Sequence, residues 1–409
     1  MHSVSAPLLK PEPTGALPVP HLATATGRIV AIDGMRALAM LMVFLYHTWQ
    51  FGGSPALRLG PLSIGSVLQG FPAGVDLFMV LSGFCLFWPL ARKPCHSDAW
   101  RVRDYAQRRA RRIVPPYVAS IVYVSLLPNL LVGLLKLRHL PARWQNLPSP
   151  WQYATHLTFT HTLFPSTWAG IQGVYWSLGL EAQFYLVFPL VVWLFRRCGI
   201  RVVVPMIVVS VTYRVIAAWL FRGAPWVTQF LLSITFLGRW MEFAAGMTAA
   251  WIVARRVTSP LCGFHGTVML LASVVACGLA LSKPVAAAGF FPARELLLSI
   301  AFLVAAVALC ASQTIMRRVF THRAVVFLGL ISYSIFLLHQ NTLYYFGDLL
   351  KRLLRVDDGA RFGVLVTLGF PMIVAFSYVF FLLFERPFLS RNDGRPRNPV
   401  IAAAEEPAP

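Results

Sequence analysis

Ten stretches of the chain are apolar almost without interruption, at 29–50, 70–91, 113–135, 172–195, 202–221, 227–253, 264–282, 294–312, 324–346 and 361–384. Most reach the roughly 20 residues a helix needs to cross the hydrocarbon of a bilayer. The segments between them are polar and mostly short. A bilayer interior offers no water to bond the backbone, so a spanning segment of this length must be helical. The pattern predicts an all-α, polytopic integral membrane protein of about ten transmembrane helices.

Composition agrees. The chain is 57% hydrophobic and only 12% charged, with a mean hydropathy of +0.65. A soluble domain carries about 25% charged residues. The 409 residues would allow two or three soluble domains, but the composition argues for one transmembrane domain over 29–390. Residues 1–28 contain Pro and Thr and have no continuous apolar core. They read as a disordered cytoplasmic tail and not as a cleavable signal peptide. Residues 391–409 read as a second disordered cytoplasmic tail. The longest outer loop, roughly 136–171, is rich in Pro, Trp and His. It is too short for an independent core and long enough for a lid or an acceptor-binding surface. No appended soluble domain is expected.

The formal net charge is +21. On a soluble protein that excess would suggest nucleic acid. Here the basic residues lie between apolar runs, so they report topology, and no nucleic-acid partner is expected. Placing both termini in the cytoplasm divides Lys and Arg roughly two to one in favour of inner segments, as the positive-inside rule requires. The loop 347–360, with Lys351, Arg352 and Arg355, departs from that rule. The cysteines form no CxxC pair and mostly lie in or beside apolar runs. They read as reduced packing residues, with no disulfide framework and no metal site.

Ionisable residues inside spans are costly and usually functional. The first span holds Asp33, Arg36 and His47. Asp33 and Arg36 are three apart and share a helix face. Arg36 and His47 are eleven apart, which is three turns plus roughly 20°, so they share it too, about 16 Å apart along the axis. A buried histidine of near-neutral pKa can take a proton from a hydroxyl; it can equally pack helices together. Arg109 and Arg112 share a face at the inner end of the third span, where they either fix topology or bind phosphate. Glu181 follows Trp176 and Ser177 in the outer part of the fourth span. It has three open roles: orienting a histidine, binding an acceptor, or pairing with Arg214 or Arg239. Asp76 sits near the outer end of the second span, as a helix-start residue or a substrate contact. His339 lies in the outer half of the ninth span, as a core or acceptor-side histidine. Ser82 and Gly83 suggest close helix packing. The depth order predicts a phosphate-binding inner mouth at Arg36, Arg109 and Arg112, and a reaction chamber further out at His47, Asp76, Glu181 and His339.

The segment AIDGMRALAMLMVFLYH, residues 31–47, resembles the opening helix of the membrane-bound acyltransferase 3 family, with Asp33, Gly34, Arg36 and His47 on its pattern. GVDLFMVLSGF (74–84), RRARRIVPPY (108–117), VYWSLGLEAQFYLVFPL (174–190), LGLISYSIFLLHQ (328–340) and FERPF (384–388) resemble its later signatures in the same order. The resemblance covers roughly 29–390. The family often has two consecutive acidic residues where this chain has Glu181-Ala182, so only Glu181 can carry an acidic role there.

The resemblance implies transfer of an acyl group, commonly acetyl, from cytoplasmic acyl-CoA to a hydroxyl, by a multi-pass protein of the cell membrane and without a metal. His47 and Glu181 would be catalytic. Arg36, Arg109 and Arg112 would hold the donor's phosphates, and Asp76, Trp176, Ser177 and His339 would contact the acceptor. The favoured acceptor is a sugar hydroxyl of a surface polysaccharide or glycolipid. The alternative acceptor is a sugar on a secreted small molecule such as a macrolide. In another functional class, buried charges and ten helices also suit a transporter or flippase, although the two halves show no obvious repeat. A scaffold that kept the fold without the chemistry is a third class.

Overall fold

Helices form where the apolar runs lie, because a segment buried in lipid must satisfy its backbone internally. The computed structural model describes residues 29–60, 62–92, 100–137, 139, 146–256, 260–282, 292–353 and 355–389. The two expected tails, 1–28 and 391–409, lie outside the described residues.

The helices are α1 (Val30–Phe51), α2 (Ile64–Gln69), α3 (Ala73–Ala91), α4 (Val102–Leu137), α5 (Pro150–Leu157), α6 (Trp176–Cys198), α7 (Val203–Leu220), α8 (Trp226–Ser233) and α9 (Phe236–Arg256). They continue with α10 (Gly263–Ala280), α11 (Ala293–Ala311), α12 (Met316–Phe320), α13 (Arg323–Leu330), α14 (Ser332–Leu353), α15 (Asp358–Val364), α16 (Phe370–Phe380) and α17 (Arg386–Leu389). Two π-helical turns, Leu365–Gly369 and Phe381–Glu385, join the last three. Among the described residues there is one small sheet, an antiparallel pair of Arg58–Leu59 with Leu62–Ser63.

By length and apolarity, seven helical stretches among the described residues can cross a membrane. An eighth is the pair α13–α14, bent by 70° at Ile331. The difference from ten has two sources. Gly173–Leu220 forms one stretch of 48 residues, more than twice the roughly 20 residues of a single crossing, and it takes in two of the apolar runs. Its turn lies at Gly199, where φ is +61°, a conformation that glycine adopts without a Cβ clash. The run 227–253 divides into α8 and α9, and α9 carries Arg239, Glu242, Arg255 and Arg256.

The core groups α1 with α3, α13 and α14, and α9 with α3, α7 and α11. Helices α3 and α9 pack backbone to backbone. A Cβ at Gly83 would run into the backbone of Phe243, and one at Gly246 into the carbonyl of Val80. Small residues at such crossings let two backbones meet. Cys310 is buried and Cys85 and Cys277 are half-buried, as packing residues should be. Cys198 and Cys262 are exposed instead, because they stand at the end of α6 and just before α10 and not within a helix core.

The described residues 146–171 of the long loop lead into 172–175, which are held to the bundle. The loop's α5 is closed by a capping box between Ser149 and Gln152. Gln172 Nε2 donates to the Leu337 carbonyl at 3.2 Å, and the Val174 amide donates to Gln340 Oε1 at 3.0 Å. His156 and His161 stack face to face, with centroids 4.2 Å apart, in the interior of this segment.

Candidate functional site

Three arginines line one cleft. Arg36 comes from α1, and Arg109 and Arg112 from successive turns of α4. Among the described residues none of the three forms an ion pair. The Nε atoms of Arg36 and Arg109 are buried without a hydrogen-bond partner. Arginine cannot shed its proton in a protein, and an uncompensated charge in a helix bundle is expensive. Arginine forks of this kind can bond anions bidentately.

The fourth charge in the cleft is Glu181 of α6. Its carboxylate accepts hydrogen bonds from Ser82 Oγ of α3, at 2.9 Å, and from the Tyr185 hydroxyl one turn along α6. The Arg109 guanidinium lies over the Tyr185 ring, 5.5 Å from its centroid. Glu385, on the second π-helical turn, accepts from Ser334 Oγ at 2.7 Å and acts electrostatically on Arg112 and Arg36. The sequence spacing puts Glu181 with His47 in the outer chamber; the fold puts it with the arginines. Arg214 and Arg239, its other candidate partners, are engaged elsewhere.

His47 stands about three turns beyond Arg36 on α1. It is 8% exposed, and its Nδ1 lies 2.9 Å from the Val43 carbonyl and 3.2 Å from His339 Nε2. His339, on α14, is 1% exposed. Aromatic rings enclose the pair: Phe51 stacks on His47, and Phe336 lies 5.7 Å from His339. Phe336 in turn meets Phe78 edge to face at 5.9 Å, and Phe78 is a wall of the arginine cleft. Phe78 and Phe336 thus form a chain of ring contacts from the cleft to His339.

Asp76, Trp176 and Ser177 stand apart from both. Asp76 is buried between Arg239 Nη1, at 2.5 Å, and Arg294 Nη2, at 3.5 Å. Arg239 also binds Glu242 at 2.5 Å and lies over the Trp176 ring. Arg214 binds Glu295 at 3.0 Å. Three acids and three arginines so neutralise one another across α3, α7, α9 and α11, which is how charges are tolerated in an apolar interior. Ser177 Oγ donates to the Val174 carbonyl at 3.1 Å.

Sequence reading passed over Tyr185, Glu242, Glu385 and the Phe78–Phe336 pair. Two of these had local signals. Tyr185 follows Glu181 by one turn, and Glu242 follows Arg239 by three residues, so each pair shares a face. Among the described residues no group of three or more His, Cys, Asp or Glu could hold a metal.

A family model described as an acyltransferase domain matches residues 29–384. The chain is 29% identical over 171 residues to the peptidoglycan O-acetyltransferase OatA of Listeria monocytogenes, covering 39% of this chain and 24% of that protein. It is 28% identical over 176 residues to the acyltransferase MdmB of Streptomyces mycarofaciens, covering 42% of each. It is 27% identical over 169 residues to a putative peptidoglycan O-acetyltransferase, YrhL, of Bacillus subtilis, covering 40% of this chain and 23% of that protein. The matches thus span less than half of each of these relatives. No solved structure matches the chain.

Proposed function

The chain belongs to this acyltransferase family, and from that premise we propose that it is a membrane O-acyltransferase, moving an acyl group, acetyl in the first instance, from cytoplasmic acyl-CoA to a sugar hydroxyl of a cell-surface glycan or glycolipid. The observation that carries the reading is the cleft of three arginines, without an ion pair among the described residues, whose Phe78 wall leads through Phe336 to the His339–His47 pair. The phosphates of CoA supply the missing negative charge, and its narrow pantetheine arm is the part suited to pass the aromatic pair.

His47 acts as general base. The acceptor hydroxyl gives its proton to His47, and its oxygen forms a bond to the thioester carbonyl carbon. The carbon–sulfur bond breaks, and the thiolate of CoA takes the proton back from the imidazolium. Attack by the histidine itself, giving an acyl-imidazole that the hydroxyl then cleaves, balances equally and differs in its ping-pong kinetics. Glu181 sets the charge and geometry of the cleft beside the arginines. The chain makes ten passes, counting Gly173–Leu220 as two, α9 as one and the bent α13–α14 as one, with both termini and the arginine cleft on the cytoplasmic side. A surface-glycan acceptor is supported by the names of two relatives, which specify peptidoglycan.

The test is donor kinetics in nanodiscs, with acetyl-CoA and glycan extracted from the source cells. Arg109→Ala and Arg112→Ala should each raise KM for acetyl-CoA about 10- to 100-fold, the worth of a hydrogen bond to a charged group, while the protein stays folded. An unchanged donor KM in both variants would sink the phosphate role. A transporter or flippase would release no free CoA under the same conditions.

A further inference from the structure

Backbone carbonyls assign the protons of the buried histidine pair. A carbonyl can only accept, so a ring nitrogen within bonding distance of one carries a hydrogen. His339 Nδ1 lies 2.9 Å from the Phe336 carbonyl and 3.1 Å from the Ile335 carbonyl. It therefore donates, and the neutral ring keeps its lone pair on Nε2. His47 Nδ1 lies 2.9 Å from the Val43 carbonyl, so it also carries a hydrogen. That one hydrogen also faces His339 Nε2, 3.2 Å away, so His47 Nδ1–H is a bifurcated donor, shared between the Val43 carbonyl and His339 Nε2 as its second acceptor. The lone pair left over is that of His47 Nε2, which bonds to no described residue.

We propose that His339 is a positioning residue for His47: its Nε2, locked as an acceptor by two carbonyls of its own helix, holds the His47 ring by Nδ1–H and turns His47 Nε2 toward the reacting hydroxyl. The interaction strengthens as the reaction proceeds. When His47 Nε2 takes the hydroxyl proton, the imidazolium positive charge is shared at Nδ1–H, and a hydrogen bond from an ionised donor is stronger than a neutral one. His339 thus fills the place that a carboxylate has behind the histidine of a hydrolytic triad, without bringing a charge into the apolar interior. It gives His339 a role other than contact with the acceptor. The proposal rests on the reading of His47 as the base.

Two measurements on the full chain in nanodiscs test it. The first is ¹⁵N NMR of histidine-labelled protein, with His47→Ala and His339→Phe used to assign the signals. Both rings should carry hydrogen on Nδ1 and none on Nε2. A His339 ring protonated on Nε2 would reverse the hydrogen bond and overturn the proposal. The second is acetyl transfer from acetyl-CoA to extracted glycan. His339→Phe should lower kcat about 10²-fold, the scale of general-base catalysis, with both KM values unchanged. His339→Gln, whose amide oxygen can accept from His47 Nδ1–H, should recover to within about tenfold of the unaltered protein. A raised acceptor KM with kcat preserved, or equal activity of the Phe and Gln variants, would contradict a positioning role. The premise is separable: full activity of His47→Ala removes both readings, whereas an inactive His47→Ala with contrary His339 results removes this one alone.

Discussion

Arg36, Arg109 and Arg112 differ from the other buried arginines in what surrounds them. Arg214 and Arg239 have carboxylates at 3.0 and 2.5 Å, whereas the cleft arginines form no ion pair among the described residues. Glu181 is the acid nearest in role, yet its carboxylate is spent on Ser82 and Tyr185. It lowers the positive potential of the cleft without closing it. Glu181→Gln keeps a hydrogen-bonding group in place and removes the charge. It should lower KM for acetyl-CoA about 3- to 10-fold at low ionic strength, an effect that fades as salt screens the site. Loss of kcat with an unchanged donor KM would instead tie Glu181 to His47. At this scale the spacing of Arg36 and His47 along one helix was readable, because both lie on one periodic face. The partnership of His47 with His339 was not, because it joins residues 292 positions apart and no local period reports it.

Elements carried their own mixture of legible and hidden features. The apolar runs gave helix positions to within a few residues for most elements. The start of helix α4 departed furthest, at Val102 and not near 113, because its first turns are rich in Arg, Gln and Ala, good helix formers that together have little hydropathy. The break between α13 and α14 was also hidden: no proline marks it, and Ser332 Oγ simply turns back to the Gly329 carbonyl at 2.8 Å. The stacked histidines of the long loop make that element sensitive to acid. Burial, with His161 alongside, brings His156 from 6.5 down to about 4, and burial lowers His161 as well. Protons therefore bind more tightly when the loop is undocked. The docked loop keeps its full stability above pH 6.5 and loses it progressively as pH falls toward 4. Hydrogen exchange over residues 150–175 should accelerate across that window, and His156→Phe should flatten the change. Exchange that is independent of pH, after correction for its intrinsic rate, would show that the stack does not control docking.

The whole molecule gives these parts a direction. The bundle was legible from hydropathy alone, since a chain so poor in charge needs lipid around it. The number of crossings was less so, because α6–α7 forms one helical stretch and α9 carries charges that its neighbours neutralise. In the proposed function the anion cleft faces the cytoplasm and the histidine pair lies further across, so that donor and acceptor meet inside the bundle from opposite sides. On the proposed function, His47 serves the transfer of the acyl group from cytoplasmic acyl-CoA. The direct test uses inverted membrane vesicles, whose cytoplasmic face is outward, supplied with radiolabelled acetyl-CoA. Label should enter vesicle glycan with the unaltered protein and fall at least about 10²-fold with His47→Ala, at equal protein content and with acetyl-CoA binding retained. Equal incorporation by the two proteins would contradict it.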